Sequence, residues 1–148
     1  TSGAAPGIAG VSAQLYQAYG NLNSGALPES ALIKATLLNT ANEAGNTGPD
    51  YKFGWGIVNG LRAGKLIEDG HYLKSTVSQA VSNNHSINIP AGTTQVRFMV
   101  YWSDVAAAAG ATTALINDLD LVVTAPSAAS YLPWILDPTP NAINLDLP

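Results

Sequence analysis

Apolar side chains at Ile8, Val11, Leu15 and Tyr19 are spaced by three, four and four residues. That spacing puts them on one face of a helix, with Gly20 as the expected stop. After the turn-rich stretch 21–27 a second helix is expected. Pro28 is tolerated in its first turn, and Leu32, Ile33, Leu37 and Leu38 supply an inner side up to about Ala41. Residues 42–55 are rich in Gly, Asn and Asp and read as a loop, with Gly45, Gly48 and Gly54 suited to tight turns. Asn59 is placed to cap a third helix that carries Leu61, Ala63, Leu66 and Ile67 and ends at Gly70.

Beyond about Leu73 the period shortens toward two and β-branched residues become more frequent, so a domain boundary is expected there, dividing the chain into residues 1–73 and 74–148. Strands are predicted at Ser75–Val81, Ser86–Ile89, Gln95–Trp102 and Asp120–Ala125, with Pro90-Ala91-Gly92 as a hairpin-like turn. Val105–Ala114, made of Ala, Gly and Thr with little to anchor it, reads as a long loop. From Pro126 to Pro148 the chain is rich in Pro and Asn and closes no sheet. Four or so strands are few for a closed sandwich, so the second unit reads as truncated. No internal repeat is found.

Composition narrows the function classes. Of 148 residues 47% are hydrophobic and 11% charged, against about 25% charged in average soluble domains, which argues against disorder. A chain of this length buries roughly 70% of its unfolded surface. The net charge is −4, and the six basic residues, Lys34, Lys52, Arg62, Lys65, Lys74 and Arg97, are scattered. No basic stripe exists to neutralise a phosphate backbone, so no nucleic-acid partner is expected. No apolar run approaches the roughly 20 residues of a membrane helix, and no membrane partner is expected either. Cysteine is absent, which excludes disulfides, zinc–thiolate sites and a Cys nucleophile and leaves the redox compartment open. The chain starts at Thr1 and its one methionine is Met99. Residues upstream are therefore expected to have been removed or left out.

The first ten residues, Thr1-Ser2-Gly3-Ala4-Ala5-Pro6-Gly7-Ile8-Ala9-Gly10, hold the candidate chemistry. A serine just ahead of a small-residue helix has an outward-pointing amide and a helix dipole that favours developing negative charge. Pro6 costs little in a first turn. The alternative role for such a serine is a simple helix cap. The order of residues resembles the nucleophile motif of subtilisin-like serine peptidases (subtilases), in which Thr-Ser is followed by small residues, Pro and a small-residue helix. In that family a Gly precedes the motif, and Gly3 stands where many members have Met. Leu37-Leu38-Asn39-Thr40-Ala41, Gly48-Pro49-Asp50-Tyr51 and Gly54-Trp55-Gly56-Ile57-Val58-Asn59 resemble the closing part of a subtilase catalytic domain, extending the likeness to about residue 70 with structural rather than catalytic roles.

The second half, through Tyr101-Trp102-Ser103-Asp104 and the run Leu115-Ile116-Asn117-Asp118-Leu119-Asp120-Leu121-Val122-Val123-Thr124-Ala125-Pro126, resembles the jelly-roll tail of some bacterial alkaline subtilases, related in shape to the P domain of proprotein convertases. The expected fold is thus α/β, the helical C-terminal part of a subtilisin-like catalytic domain, followed by a truncated all-β, jelly-roll-like sandwich. Asp118 and Asp120 alternate with Leu119 and Leu121 and share one face of a strand entrance. With Asp137 they are candidate oxygen ligands for a structural calcium, which relatives of this type carry in the tail. The alternative is an acidic, solvated strand edge.

Other candidates carry less. His71 and His85 both follow Ser2, whereas subtilases place Asp and His before the serine, so neither is expected to be the base. Asn84-His85-Ser86 fits the glycosylation sequon. Trp55, Trp102 and Trp134 are expected to pack rather than form a ligand platform. The resemblance implies peptide-bond hydrolysis by acyl transfer through Ser2, with the catalytic Asp, His and oxyanion Asn in a missing N-terminal part of the domain. That part and a protein or peptide substrate are the expected partners, the isolated chain is expected to be inert, and the setting is secreted or extracytoplasmic bacterial. A non-catalytic β-rich binding or stabilising module is the alternative; an unrelated α/β hydrolase lacks its Gly-x-Ser-x-Gly elbow here.

Overall fold

A computed structural model describes residues 2–139. Three helices come first: α1 (Ala4–Leu22), α2 (Ser30–Asn39) and α3 (Gly60–Glu68). Two short strands, β1 (Val123–Thr124) and β2 (Ser130–Tyr131), follow and pair antiparallel with Val123 opposite Tyr131 and Thr124 opposite Ser130. No described helix is long and apolar enough to cross a membrane.

The core is built by the helical periodicity. Leu15 and Tyr19 of α1, Leu32 and Ile33 of α2, and Ala63 and Ile67 of α3 form one buried cluster, with Val11, Leu37, Leu66 and Tyr72 packed on its edge. Fully burying a side chain such as Leu15 or Ile67 is worth about 2 kcal/mol. α1 lies chiefly against α3, and the crossing is close at Gly60, where an added Cβ would meet both Val11 methyls at 3.5 Å. Lys74, just past α3, donates to the Tyr19 hydroxyl (3.3 Å) and to Glu29 (3.4 Å). These bonds raise the Lys74 pKa, the Tyr19 hydroxyl more than Glu29.

The helix ends show where local signals hold. Asn59 caps α3 as expected, its side chain accepting from the Arg62 amide at 2.9 Å. Gly20, by contrast, does not stop α1, which runs on to Leu22. A single helical glycine costs only about 1 kcal/mol, and the stop is made later: the Asn23 amide bonds to Tyr19 and Gly20 carbonyls and its side chain to Tyr19 O at 2.9 Å. α2 starts at Ser30, because Glu29 before it is extended, with the ring of Pro28 buried outside the helix. Thr40 closes α2 by donating its hydroxyl to Thr36 O at 2.7 Å.

The second half departs most from expectation. Of the four predicted strands, only part of Asp120–Ala125 enters a ladder among the described residues, and its partner, Ser130–Tyr131, lies in a stretch read as closing no sheet. No jelly-roll sandwich forms among the described residues. The period-two pattern persists without a ladder: Arg97, Met99 and Tyr101 are half-buried between exposed Val96, Phe98 and Val100, and Leu119, Leu121, Val123 and Ala125 alternate likewise. Alternation sets which side of a segment faces inward, but a strand exists only where a second backbone supplies its hydrogen bonds. Val77, Val81, Ile87 and Ile89 in the first two predicted strands stay exposed. The turn at Pro90-Ala91-Gly92 does form, with the Thr93 amide and hydroxyl both donating to Pro90 O. The part of the tail at residues 140–148 lies outside the described residues.

Segment 95–102 is tied to α2. Arg97 Nη1 donates to Ala41 O at 2.8 Å, Asn39 Nδ2 donates to Arg97 O at 3.4 Å, and Lys34 Nζ sits 5.1 Å from the centre of the Tyr101 ring. The Arg97–Glu43 pair, at 4.0 Å, adds little. A charge-assisted hydrogen bond to a helix-end carbonyl is worth about 1.5–3 kcal/mol, so Arg97→Met should lower unfolding stability by about 1–2 kcal/mol in urea titration. Unchanged stability would mean that segment 95–102 contributes nothing to holding the helices.

Candidate functional site

The sequence positions Ser2 one residue ahead of Gly3, the N-cap of α1. Gly3 already has helical backbone angles (φ −81°, ψ −31°), and no side chain caps the helix. Ser2 is exposed, and its hydroxyl makes no hydrogen bond among the described residues, so it is not a cap. Pro6 falls in the first turn, where amides lack intrahelical acceptors. No acidic residue occupies that turn, so nothing offsets the partial positive charge of the helix end, which favours negative charge developing beside it. Residues 2–10 are all exposed, Ile8 among them at 39%, and a Cβ added at Gly7 or Gly10 would meet nothing within 4 Å. The first two turns of α1 therefore present a small-residue surface that the rest of the described chain leaves uncovered.

Nothing described supplies Ser2 with a base. His71 and His85 are exposed, and no His, Asp or Glu side chain bonds to Ser2 among the described residues. The geometry offers an exposed serine hydroxyl beside a helix N-terminus, with no general base next to it among the described residues.

The loop after α2 is organised by two carboxylates, Glu43 and Asp50. Glu43 Oε2 accepts from the Gly48 amide at 2.8 Å and Oε1 from Ala44 at 3.2 Å. Asp50, 3% exposed, accepts through Oδ1 from the Lys52 and Phe53 amides, while its buried Oδ2 has no hydrogen-bond partner. The bridges Asn42–Ile57 and Asp50–Gly54 fold the loop back, and Asn59 Nδ2 donates to Asn42 Oδ1 at 3.0 Å. This lattice fixes the end of α2 relative to the start of α3 and reaches no reacting atom.

Asp118, Asp120 and Asp137 are not brought together. All three are exposed, Asp137 Oδ1 accepts from the Thr139 amide at 2.9 Å, and no three His, Cys, Asp or Glu side chains gather to hold a metal ion among the described residues. Trp102 is half-buried with its Nε1 lacking a partner. Trp55 and Trp134 are 46% and 58% exposed and rim a cleft of about 580 Å³ between the loop and segments 95–99 and 121–134. Trp134 lies over Gly48 (φ +91°), where an added Cβ would come to 3.0 Å from the indole and push it aside.

In the sequence Asp104 is only the last residue of the run Tyr101-Trp102-Ser103-Asp104. Its carboxylate accepts from the amides of Val105 (3.0 Å), Ile116 (2.7 Å) and Asn117 (3.2 Å) and from the Asn117 side chain (2.7 Å). Neither this grouping nor the reach of Arg97 to Ala41 leaves a local signal, because Ile116 and Asn117 lie 12 and 13 residues beyond Asp104 and Ala41 lies 56 before Arg97.

No curated protein and no solved structure matches the chain. Residues 1–56 match the model of the Subtilase family. The matched region holds Ser2, α1, α2 and the carboxylate-organised loop, and it supports a subtilisin-like serine peptidase fragment at the N-terminal end of this chain.

Proposed function

We propose that the chain is the C-terminal part of a subtilisin-like serine endopeptidase, with Ser2 as its nucleophile. The observation that carries this reading is the place of Ser2, inside the region that matches the Subtilase family and at the uncapped N-terminus of α1. Ser2 Oγ attacks the carbonyl carbon of a peptide bond and passes its proton to a histidine oriented by an aspartate. The oxyanion is held by the Ser2 amide and an asparagine side chain. Collapse expels the amine, which takes the proton from the imidazolium, and water then releases the acyl group from Ser2. Aspartate, histidine and asparagine come from the N-terminal part of the domain, which covers the exposed first turns of α1. The isolated chain is inert.

Residues 74–148 form, on this reading, part of a jelly-roll-like module; the alternation of burial at 97–101 and 119–125 supports it. The proposed setting is extracytoplasmic and bacterial. The acyl-transfer reading is tested with a fluorophosphonate probe and intact mass under denaturing conditions. Labelling at Ser2 when the N-terminal part is present, and none when it is absent, is the expected result. Labelling of the lone chain, or none in the assembled one, overturns it.

A further inference from the structure

We infer that Asp104 is a latch that holds segment 95–102 in register with segment 118–125 and closes the loop 105–115 between them, and that protonating its carboxyl opens the latch. Three backbone amides and one side-chain amide converge on this one carboxylate, from Val105 on the near side of the loop and from Ile116 and Asn117 on the far side. The two segments share no ladder among the described residues, so no backbone pairing closes the loop between them. The loop it closes is Ala/Gly/Thr-rich and almost wholly exposed, contributing little apolar burial that could hold the ends together without it.

The latch depends on charge. A carboxylate offers two oxygens as acceptors, whereas a carboxylic acid presents a donor where an acceptor is required. The Ile116 amide first, then the Asn117 side chain and the Asn117 and Val105 amides, hold the Asp104 pKa below its ordinary 3.8 against an opposing effect of burial second in size only to the Ile116 bond. No cation pairs with it among the described residues. Asp118 and Asp120 follow on the facing segment and Tyr101 precedes it on its own; neighbouring carboxylates can only raise a carboxyl's pKa, so the lowering comes from the amides. A depressed folded pKa means that the latch contributes in full above the unfolded pKa and is lost as pH falls through the folded one.

Hydrogen exchange on the whole chain, corrected for intrinsic rates, reads the latch at the Ile116 and Asn117 amides. At neutral pH their protection should fall about tenfold or more in Asp104→Ala, consistent with loss of strong charge-assisted bonds. In the unmodified chain protection should decline on acidification below about pH 4. Asp104→Asn keeps the volume and one acceptor, and should be weakly protected and pH-independent. Amides of the α1–α3 core serve as the folding control. Equal protection in Asp104→Asn and the unmodified chain, or protection in the latter that is constant through the acid range, would overturn the inference.

Discussion

Joined to the N-terminal part of a subtilisin-like catalytic domain, the Ser2→Ala chain is expected to lose turnover by roughly 10⁶-fold, the loss known for removal of the nucleophile in subtilisin itself. What survives comes from oxyanion donors and substrate binding, which do not need Oγ. The same substitution should leave folding stability within about 0.5 kcal/mol, because Ser2 is exposed and caps nothing. A capping serine would instead cost about 1 kcal/mol. Peptide turnover and thermal melting of one sample therefore separate the two roles. Unimpaired turnover removes Ser2 from the mechanism, and a lowered melting temperature reassigns it to holding the helix.

Gly56→Ala should be the most destabilising single-methyl change in the first half, at about 3–4 kcal/mol. Gly56 has φ +94°, and a Cβ there would run into the backbone carbonyl oxygen of Asn42. The left-handed backbone alone costs an alanine about 1–2 kcal/mol. Moving the two segments apart also breaks the paired bonds between Asn42 and Ile57, at 2.8 and 2.9 Å, worth about 1 kcal/mol each. Gly64 is the control: it sits inside α3 with nothing within 4 Å of an added Cβ, so Gly64→Ala should stabilise by up to about 1 kcal/mol. Urea midpoints of the two variants should move in opposite directions. A Gly56→Ala midpoint near that of the unmodified chain would mean that the Asn42–Ile57 bridge is not part of the native fold.

The legible parts of this chain are those whose causes lie within a few residues. Val11, Leu15 and Tyr19 announce α1 because a helix repeats every 3.6 residues, and Asn59 announces α3 because a cap bonds three residues ahead. Gly20 misled because propensity is weak against a helix already nucleated and packed. The strand pattern was half legible: residues 97–101 and 119–125 keep the predicted sidedness of burial, yet apart from Val123–Thr124 they have no ladder, since pairing depends on a second segment that alternation does not name.

Arg97 and Asp104 show no sign in the local sequence of what they do. Arg97 reads as one scattered cation among six, and its partner carbonyl is 56 residues earlier. The acidic run 118–120, conspicuous in sequence, gathers no third ligand among the described residues, while the unremarked Asp104 collects four donor groups.

Order of residues alone determined the three helices, most of the inner face of each, with Ile8 and Leu61 left exposed, and the subtilase-like stretch around Ser2, because periodicity, capping and motif spacing act over one or two turns. Tertiary structure alone decided that Ser2 caps nothing, that Arg97 fastens the second half to the end of α2, that Asp118, Asp120 and Asp137 stay apart and that Asp104 closes the loop before them. Those outcomes depend on which distant backbone groups meet, and chain order does not specify such meetings until the core has packed.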